Sequence, residues 1–256
     1  MRQAIEFFGD FFYMLLDTLR AIRPALWTGR GRTLAWHNLW VQMNRIGVES
    51  IPIVCLVMLC IGAILAMQVA PELAKFGIVP VTADIVALAT FREMGPLVSA
   101  VVMTGFGGAA IAAEIGTMVV GEEIEAMEAM AIDPIRFLVV PRVLAGIVMM
   151  VCLTAVGDLA AMFGGLVTSV LLLHIGTMQY IHHALTILKV GDFLTGLVKA
   201  AVFGLLISAI ACFLGLKVRG GAEGVGLNTS KTVVFTIVAL IVVDLIFTSL
   251  FFYLGV

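Results

Sequence analysis

Five long apolar stretches, each nearly free of charge, are the feature that most limits how this chain can fold. They cover residues 50–71, 84–113, 143–173, 193–216 and 232–256. A helix that crosses a bilayer needs about 20 largely apolar residues, and each stretch reaches that length. A soluble domain could not hide them all, because charged residues make up only 12% of the chain, about half the usual share. The sequence predicts an all-α integral membrane protein with five transmembrane helices.

The segment ahead of the first stretch has a different pattern. Its apolar residues recur every three or four positions, at Ile5, Phe8, Phe12, Leu15, Leu19 and Ile22, and the three tryptophans, Trp27, Trp36 and Trp40, follow them. Such spacing is typical of an amphipathic helix that lies at a membrane interface, where tryptophan rings also concentrate. We therefore expect an interfacial segment at residues 1–48 and a five-span domain at residues 49–256.

The distribution of basic residues predicts how the chain crosses the membrane. Eleven of the 15 Lys and Arg residues lie in the N-terminal segment or in the connections after the second and fourth spans. The remaining connections hold only Lys75 and Lys189, while Arg92 and Lys199 lie within spans. Because basic residues flank the cytoplasmic ends of spans, we expect a cytoplasmic N-terminus and a periplasmic C-terminus.

The sequence offers little support for an enzyme or a nucleic-acid-binding protein. It has no G-x-x-x-x-G-K-[ST] motif, so it is not expected to hydrolyse nucleotide by itself. It shows no metal-ligand spacing, and we interpret His182 and His183 as solvated residues of an outer loop. A net charge of -2 also argues against a nucleic-acid partner. We therefore expect no catalytic residue, no metal and no cofactor in this chain.

Charged residues inside the spans need a separate explanation, because a buried ionisable group is costly unless it is paired or wetted. Arg92 and Glu93 lie near the start of the second span, and Lys199 lies at a similar depth in the fourth. One interpretation is a structural ion pair, such as Glu93 with Lys199. The other is a lipid cavity in which Arg92 and Lys199 meet a phosphate. Both interpretations can hold together.

In the lipid interpretation, apolar faces of the first two spans would contact the acyl chains. The residues assigned to these faces are Ile64, Leu65, Val69 and Leu88. Asp158 and Asp244 are single acids within the third and fifth spans. We expect them to serve in helix packing rather than in transport.

The most acidic connection follows the second span, on the side predicted to be cytoplasmic. Gly121 and the pair Asp133-Pro134 bracket a short predicted helix, because a residue that precedes proline is disfavoured in a helix. Its apolar stripe is Ile124, Met127 and Ala131, and Glu125 and Glu128 lie on another side. This pattern favours docking into a groove on a cytoplasmic partner. The alternative is an ordinary solvated loop.

Three stretches of the sequence resemble the MlaE/YrbE family, the permease subunits of ABC-type lipid transporters that work with MCE proteins. They read REMGPLVSAVVMTGFGGAAIAAEIGTM, EAMEAMAIDPIRFLVVPRVLAG and GGAEGVGLNTSKTVV. The resemblance covers roughly residues 40–252. Its most specific parts are Arg92-Glu93-x-Gly95-Pro96, the run from Ala113 to Gly116, and the spacing of Asp133-Pro134 and Pro141-Arg142.

The resemblance implies a homodimer in the bacterial inner membrane that moves phospholipid to or from a periplasmic MCE-domain protein. It also implies an ABC ATPase dimer as partner, which would hold ATP-Mg, with a small cytoplasmic STAS-type subunit as a further candidate. The segment 121–134 would be the coupling helix on that ATPase. The residues carried over to this role are Glu122, Ile124, Glu125, Met127, Glu128, Asp133 and Pro134.

Two other functions are compatible with parts of this sequence. An ion-coupled secondary transporter could use Arg92, Glu93, Asp158, Lys199 and Asp244 as an ion pathway. Such transporters are built from internal repeats, and the two halves of this chain show none. A membrane scaffold without transport activity would leave the charges inside the spans unexplained.

Overall fold

The computed structural model describes the backbone of residues 2–27 and 32–254, and the side chains of residues 9–21 and 36–254. Every regular element in these ranges is a helix. The α-helices are α1 (Arg2–Trp27), α2 (Arg32–Ile46), α3 (Ile51–Lys75), α4 (Thr82–Ala89), α5 (Gly95–Met103), α6 (Ala109–Val120), α7 (Glu123–Ala129), α8 (Val140–Leu171), α9 (Thr177–Ile187), α10 (Val190–Leu216) and α11 (Gly221–Leu254).

Short helical segments of other types connect several of these elements. π-Helical turns at Thr90–Met94 and Thr104–Gly108 join α4, α5 and α6 into one run, and a third at Ile135–Val139 leads into α8. 3₁₀ turns occupy Val48–Ser50 and Val79–Val81. π-Helical turns within α-helices occur frequently at functional sites, and the first of them carries Arg92 and Glu93.

The prediction of five membrane spans is confirmed. Five helical segments of the described chain are long and apolar enough to cross a bilayer: Trp36–Lys75, Val79–Val120, Ile135–Leu171, Val190–Leu216 and Gly221–Leu254. The direction of crossing stays a prediction, as does the boundary between residues 48 and 49.

The helix of the fifth span begins before the apolar stretch that starts at residue 232. α11 begins at Gly221 and includes the polar residues Asn228 and Lys231. The side-chain amide of Asn228 donates to the carbonyl of Leu214 at 3.1 Å. Polar side chains near a span end are tolerated because they can reach the membrane interface.

Helix α1 has two apolar faces, one packed against the protein and one exposed. The face that packs inward holds Phe11, Met14 and Thr18, and the rings of Phe11 and Phe213 meet edge to face at 5.4 Å. The predicted apolar stripe is divided between two faces: Leu15 packs against the inward cluster, whereas Phe12 is 58% exposed and Leu19 46% exposed. Two separate apolar surfaces suit a helix that lies between the protein and lipid. The side chains of Ile5, Phe8, Ile22 and Trp27 lie outside the described residues.

The described chain forms two compact units. The first comprises Met1–Glu49, Met103–Met149 and Gly204–Leu240, and the second comprises Ser50–Val102, Met150–Phe203 and Ile241–Val256. The core of the first unit includes Met14, Ala209, Phe213 and Leu214. In the second unit, Ala83, Ile175 and Tyr180 form a buried cluster.

Within the second unit, α3 and α8 approach each other at glycines. A Cβ atom at Gly62 would overlap the carbonyl of Ala161, and one at Gly164 would overlap the backbone of Leu59. Small residues at contacts between membrane helices allow such close backbone packing.

The loop conformation expected at His182 and His183 is wrong, although His182 is exposed as expected. Both residues lie on α9, an 11-residue helix. The Nδ1 atom of His183 lies 3.2 Å from Oδ1 of Asp84 on α4. Tyr180 anchors α9 and is only 2% exposed.

Candidate functional site

A cluster of charged side chains joins three spans within the second unit. Lys199 of α10 lies 2.8 Å from Oε2 of Glu93 and 3.0 Å from Oδ1 of Asp244 on α11. Its ammonium also donates to the hydroxyl of Thr248 at 2.9 Å, and that hydroxyl donates to Oε1 of Glu93 at 2.8 Å. Lys199 is 1% exposed, so these three neighbours take the place of solvent around its ammonium group.

Arg92 has a different partner. Its Nε atom donates to Oδ1 of Asp192 at 2.6 Å, and Nη2 contacts the same oxygen. Asp192 lies in the first turn of α10, where Oδ2 accepts the backbone N–H of Lys189 at 3.0 Å. An acid at this position stabilises the helix N-terminus. The Asp192 side chain is 2% exposed, whereas that of Arg92 is 44% exposed.

A cavity of about 450 Å³ opens beside these groups. It is lined by Arg92, Glu93, Thr195, Lys199, Thr248, Phe251 and Phe252. The lining combines polar and charged groups with two phenylalanine rings, so the cavity is amphipathic. Arg92 is the cation of this lining that remains accessible, because Lys199 is enclosed by its partners.

Local backbone features bring these side chains together. Arg92 and Glu93 lie in the π-helical turn Thr90–Met94 and point to separate partners, as their adjacent positions predict. On α10, Gly196 lies so close to span two that a Cβ atom there would overlap the carbonyl of Phe91. Gly196 is one turn before Lys199, so this close contact brings the Lys199 ammonium within reach of Glu93.

The Glu93 to Lys199 pair considered from the sequence is present, but the surrounding site differs from expectation. None of the four residues assigned to acyl chains, Ile64, Leu65, Val69 and Leu88, lines this cavity. Three of them are partly buried and Ile64 is 42% exposed.

Sequence reasoning also missed several residues of this site. They are Asp192, Thr195, Thr248, Phe251 and Phe252. Asp244 was expected to serve in helix packing, and its contact with Lys199 joins α11 to α10. Helical spacing could have suggested Thr195 and Thr248, because each lies four residues from a charged residue on the same helix face. Helical spacing could not have identified Asp192 as the partner of Arg92, because the two residues lie on different helices.

Asp158 lies apart from the charged cluster. It is 1% exposed on α8, and a Cβ atom at Gly95 would overlap its carboxylate. Its Oδ1 atom has no hydrogen-bond partner among the described residues. The predicted packing role of Asp158 stays a prediction.

The second candidate site, residues 121–134, contains a shorter helix than expected. α7 spans Glu123–Ala129, and Ala131 lies beyond it with a left-handed φ of 58°. The predicted stripe of Ile124, Met127 and Ala131 is therefore wrong as a single helical face. Met127 is 8% exposed and packs within this chain, whereas Met130 is 64% exposed.

The acidic residues of this segment, Glu122, Glu123, Glu125, Glu128 and Asp133, are exposed, and Pro134 is partly buried. Asp133 accepts the backbone N–H of Ile135 at 3.0 Å and pairs with Arg136 at 3.2 Å. These contacts fix the end of the acidic segment at the start of the next helix. The exposed surface of this segment therefore combines carboxylates with the side chains of Met130 and Ile132.

The family model and two of the similar proteins compared with this chain are described as permeases. The family model described as "Permease MlaE" matches residues 39–250. The chain is 36% identical over 250 residues to a probable ABC transporter permease protein of Rickettsia prowazekii, covering 98% of this chain and 93% of that protein. It is 32% identical over 215 residues to the intermembrane phospholipid transport system permease protein MlaE of Haemophilus influenzae, covering 84% and 82% of the two chains.

A plant protein is also similar. The chain is 31% identical over 217 residues to the chloroplastic protein TRIGALACTOSYLDIACYLGLYCEROL 1 of Arabidopsis thaliana, covering 85% of this chain and 62% of the plant protein. The family match spans most of the five helical segments that can cross a membrane. This multi-pass membrane protein therefore belongs to the MlaE family of ABC transporter permeases.

Proposed function

We propose that this chain is the permease of a bacterial inner-membrane ABC transporter that moves phospholipid between that membrane and a periplasmic MCE-domain protein. Family membership supports the permease role. The Haemophilus influenzae relative is named for intermembrane phospholipid transport, which supports the substrate. The observation in this chain that carries the proposal is the charged cavity, where Arg92 lies beside Phe251 and Phe252.

The chemistry of the cavity fits a phospholipid headgroup. Its volume of about 450 Å³ lies within the range of small-molecule sites, about 300–1,000 Å³. A guanidinium group offers several N–H donors in one plane and binds phosphate oxygens with charge-assisted hydrogen bonds. The two phenylalanine rings provide an apolar surface for the glycerol backbone and the first acyl carbons.

Within this proposal the two cations have different roles. Arg92 contacts the phosphate, because its side chain is 44% exposed. Asp192 does not cancel this charge fully, since the helix N-terminus of α10 also stabilises that carboxylate. Lys199 and Glu93 hold spans two, four and five together and shape the cavity wall. Ile64, Leu65, Val69 and Leu88 remain proposed contacts for acyl chains further along the path.

The same proposal assigns the energy source to a partner. An ABC ATPase dimer would bind ATP-Mg and would dock on the exposed acidic residues Glu122, Glu125 and Glu128 together with Met130. A homodimer of this chain, a cytoplasmic N-terminus and a STAS-type subunit belong to the proposal through the family resemblance. An ion-coupled secondary transporter loses support, because the chain belongs to a family of ABC permeases.

The test compares lipid retention in charge-reversal variants of the purified transporter. We expect Arg92→Glu to lower retained phospholipid about tenfold, which corresponds to about 1.4 kcal/mol, and to abolish lipid transfer in proteoliposomes. Lys75→Glu is the matched control, because Lys75 is 65% exposed and pairs with Glu72 on its own helix. Normal retention and transfer in a folded Arg92→Glu variant would refute the site.

A further inference from the structure

A second cavity lies within the first unit, between α2, α6 and the start of α8. Its volume is about 190 Å³. It is lined by Asn38, Val41, Gln42, Glu114, Phe137, Leu138, Pro141 and Arg142. None of these residues belongs to the charged cavity of the proposed transport function.

Two arginines share one carboxylate at this cavity. Arg142 Nη2 lies 3.1 Å from Oε1 of Glu114, and Arg45 Nη1 lies 3.0 Å from Oε2 of the same residue. Arg142 also donates from Nη1 to the carbonyl of Leu138 at 2.9 Å. The three ionised groups carry a net charge of +1, so an anion bound beside them would complete the charge balance.

Two buried polar atoms at the cavity lack partners among the described residues. They are the Nε atom of Arg142, whose side chain is 5% exposed, and the Oε1 atom of Gln42, which is 9% exposed. A buried donor or acceptor left unsatisfied is costly, particularly on a charged group. The Nε–H of Arg142 is therefore available for an acceptor, and the amide oxygen of Gln42 is available for a donor.

We propose that this cavity binds the headgroup of a phospholipid, with a phosphate oxygen accepting from Arg142 and an amine or hydroxyl of the headgroup donating to Gln42. A phosphate ester with a polar headgroup satisfies both orphan atoms and supplies the missing negative charge. Arg45, whose side chain is 48% exposed, lines the adjoining depression and contributes the second positive charge through its contact with Glu114.

The surroundings favour a lipid over a phosphate ion from solution. α2 exposes Trp36 and Trp40, which are 45% and 64% exposed, and tryptophan rings favour the headgroup level of a bilayer. An open depression of about 430 Å³ adjoins the cavity at Val41 and is lined by Trp40 and Arg45 among others. The glycerol backbone of a lipid could leave the small cavity through this depression.

A photo-crosslinking experiment tests whether lipid occupies this cavity. A photo-crosslinking amino acid in place of Val41 is introduced into the full-length transporter in proteoliposomes of phosphatidylethanolamine and phosphatidylglycerol. Mass spectrometry then identifies the crosslinked species. We expect a phospholipid adduct, and we expect it to persist when Arg92→Glu is added. Failure of the proposed transport site would therefore not affect this readout.

Variants of Gln42 then test the chemistry without removing Arg142, whose loss would leave Glu114 with one fewer partner. Gln42→Glu places a carboxylate beside the phosphate, and we expect at least a tenfold loss of the adduct. Gln42→Met removes the acceptor at similar side-chain length and should lower the adduct severalfold. Gln179→Glu makes the same chemical change at an exposed position of α9 and should leave the adduct unchanged.

Three results would overturn the proposal. One is an undiminished adduct in a folded Gln42→Glu variant. Another is competition by inorganic phosphate as strong as that by a short-chain phospholipid, which would point to a phosphate ion from solution. The third is the absence of any lipid adduct at position 41, which would leave a water-filled cavity, since 190 Å³ accommodates about six water molecules.

Discussion

Lys199 links Glu93 of span two with Asp244 of span five, because it is buried and contacts both carboxylates. Removal of one partner from a buried ion pair is costly, since the remaining charges lose their compensation. The ion pair therefore has a structural role whether or not lipid binds. Arg92 differs, because its partner Asp192 is itself stabilised at the start of α10.

The energetics of this pair can be tested by substitution. Lys199→Ala should destabilise the protein by about 2–3 kcal/mol, which is below the range for fully buried pairs because Glu93 is partly exposed. The exchange Glu93→Lys with Lys199→Glu should restore little of this loss, since the new glutamate would face Asp244. Adding Asp244→Asn to the exchange should restore much more.

The measurement is the thermal unfolding midpoint of each variant in the same detergent, together with its elution as a single species. If the exchange alone were as stable as the wild type, Asp244 would not belong to the pair network. If Lys199→Ala were neutral, the network would not contribute to stability.

At the scale of elements, Gly196 of α10 controls the distance between Lys199 and Glu93. Gly196 contacts the backbone of span two at Phe91, whereas at Gly191 on the same helix no described atom lies within 4 Å of the position that a Cβ would take. Gly196→Ala should push α10 away from span two and separate Lys199 from Glu93. Gly191→Ala should be neutral or slightly stabilising, because alanine is favoured over glycine in helices by about 0.5–1 kcal/mol.

Unfolding midpoints and retained phospholipid check this prediction. Both quantities should fall for Gly196→Ala. Gly191→Ala should keep the wild-type lipid retention and an unfolding midpoint equal to or slightly above that of the wild type. Equal behaviour of the two variants would show that the close approach of α10 and span two is not required.

The connection around α7 is the element proposed to contact the ATPase. Its exposed apolar residue is Met130 rather than Met127, so Met130→Asp tests docking without altering the interior of this chain. A charge placed in an apolar contact should weaken binding by about 2 kcal/mol or more. Met178→Asp, on an equally open position of α9 that is 79% exposed, serves as the control.

Copurification of the ATPase subunit measures this effect. Its yield should fall for Met130→Asp and remain unchanged for Met178→Asp, with both permeases eluting as the wild type does. Full recovery of the ATPase with Met130→Asp would exclude this surface from the docking site. Met127→Asp is a poor test, because it would introduce a charge into the packing of the chain itself.

At the scale of the whole molecule, the asymmetry of basic residues predicts which ends of the spans face the cytoplasm. Cysteines placed at Phe76 and Met178, which are 76% and 79% exposed, should react with a membrane-impermeant reagent added from the periplasmic side. A cysteine in place of Ala222, an exposed residue at the start of α11, should not react.

Labelling is carried out in sealed right-side-out vesicles with the four native cysteines replaced. Ala222 is preferred to its neighbour Gly220, because Gly220 has a φ of 93° that would strain a cysteine. Reaction at Ala222→Cys in intact vesicles would reverse the predicted topology. Val256, the C-terminal residue predicted to be periplasmic, lies outside the described residues.

The sequence by itself predicts the features that depend on local composition. Apolar stretches of sufficient length predict the five spans because a bilayer requires each backbone group to be satisfied within its own helix. The depth of Arg92 and Lys199 follows from their positions within those stretches. The presence of a short helix between Gly121 and Pro134 also follows from local rules, although its end does not.

Only the tertiary structure decides which side chains meet. Asp192 and Asp244 are both acids on long helices, and their sequence positions do not show that the first pairs with Arg92 and the second with Lys199. The pairing depends on how each helix is rotated about its axis and on how closely its backbone approaches its neighbours, as at Gly196. These quantities are set by packing between distant segments, which periodicity along one helix does not encode.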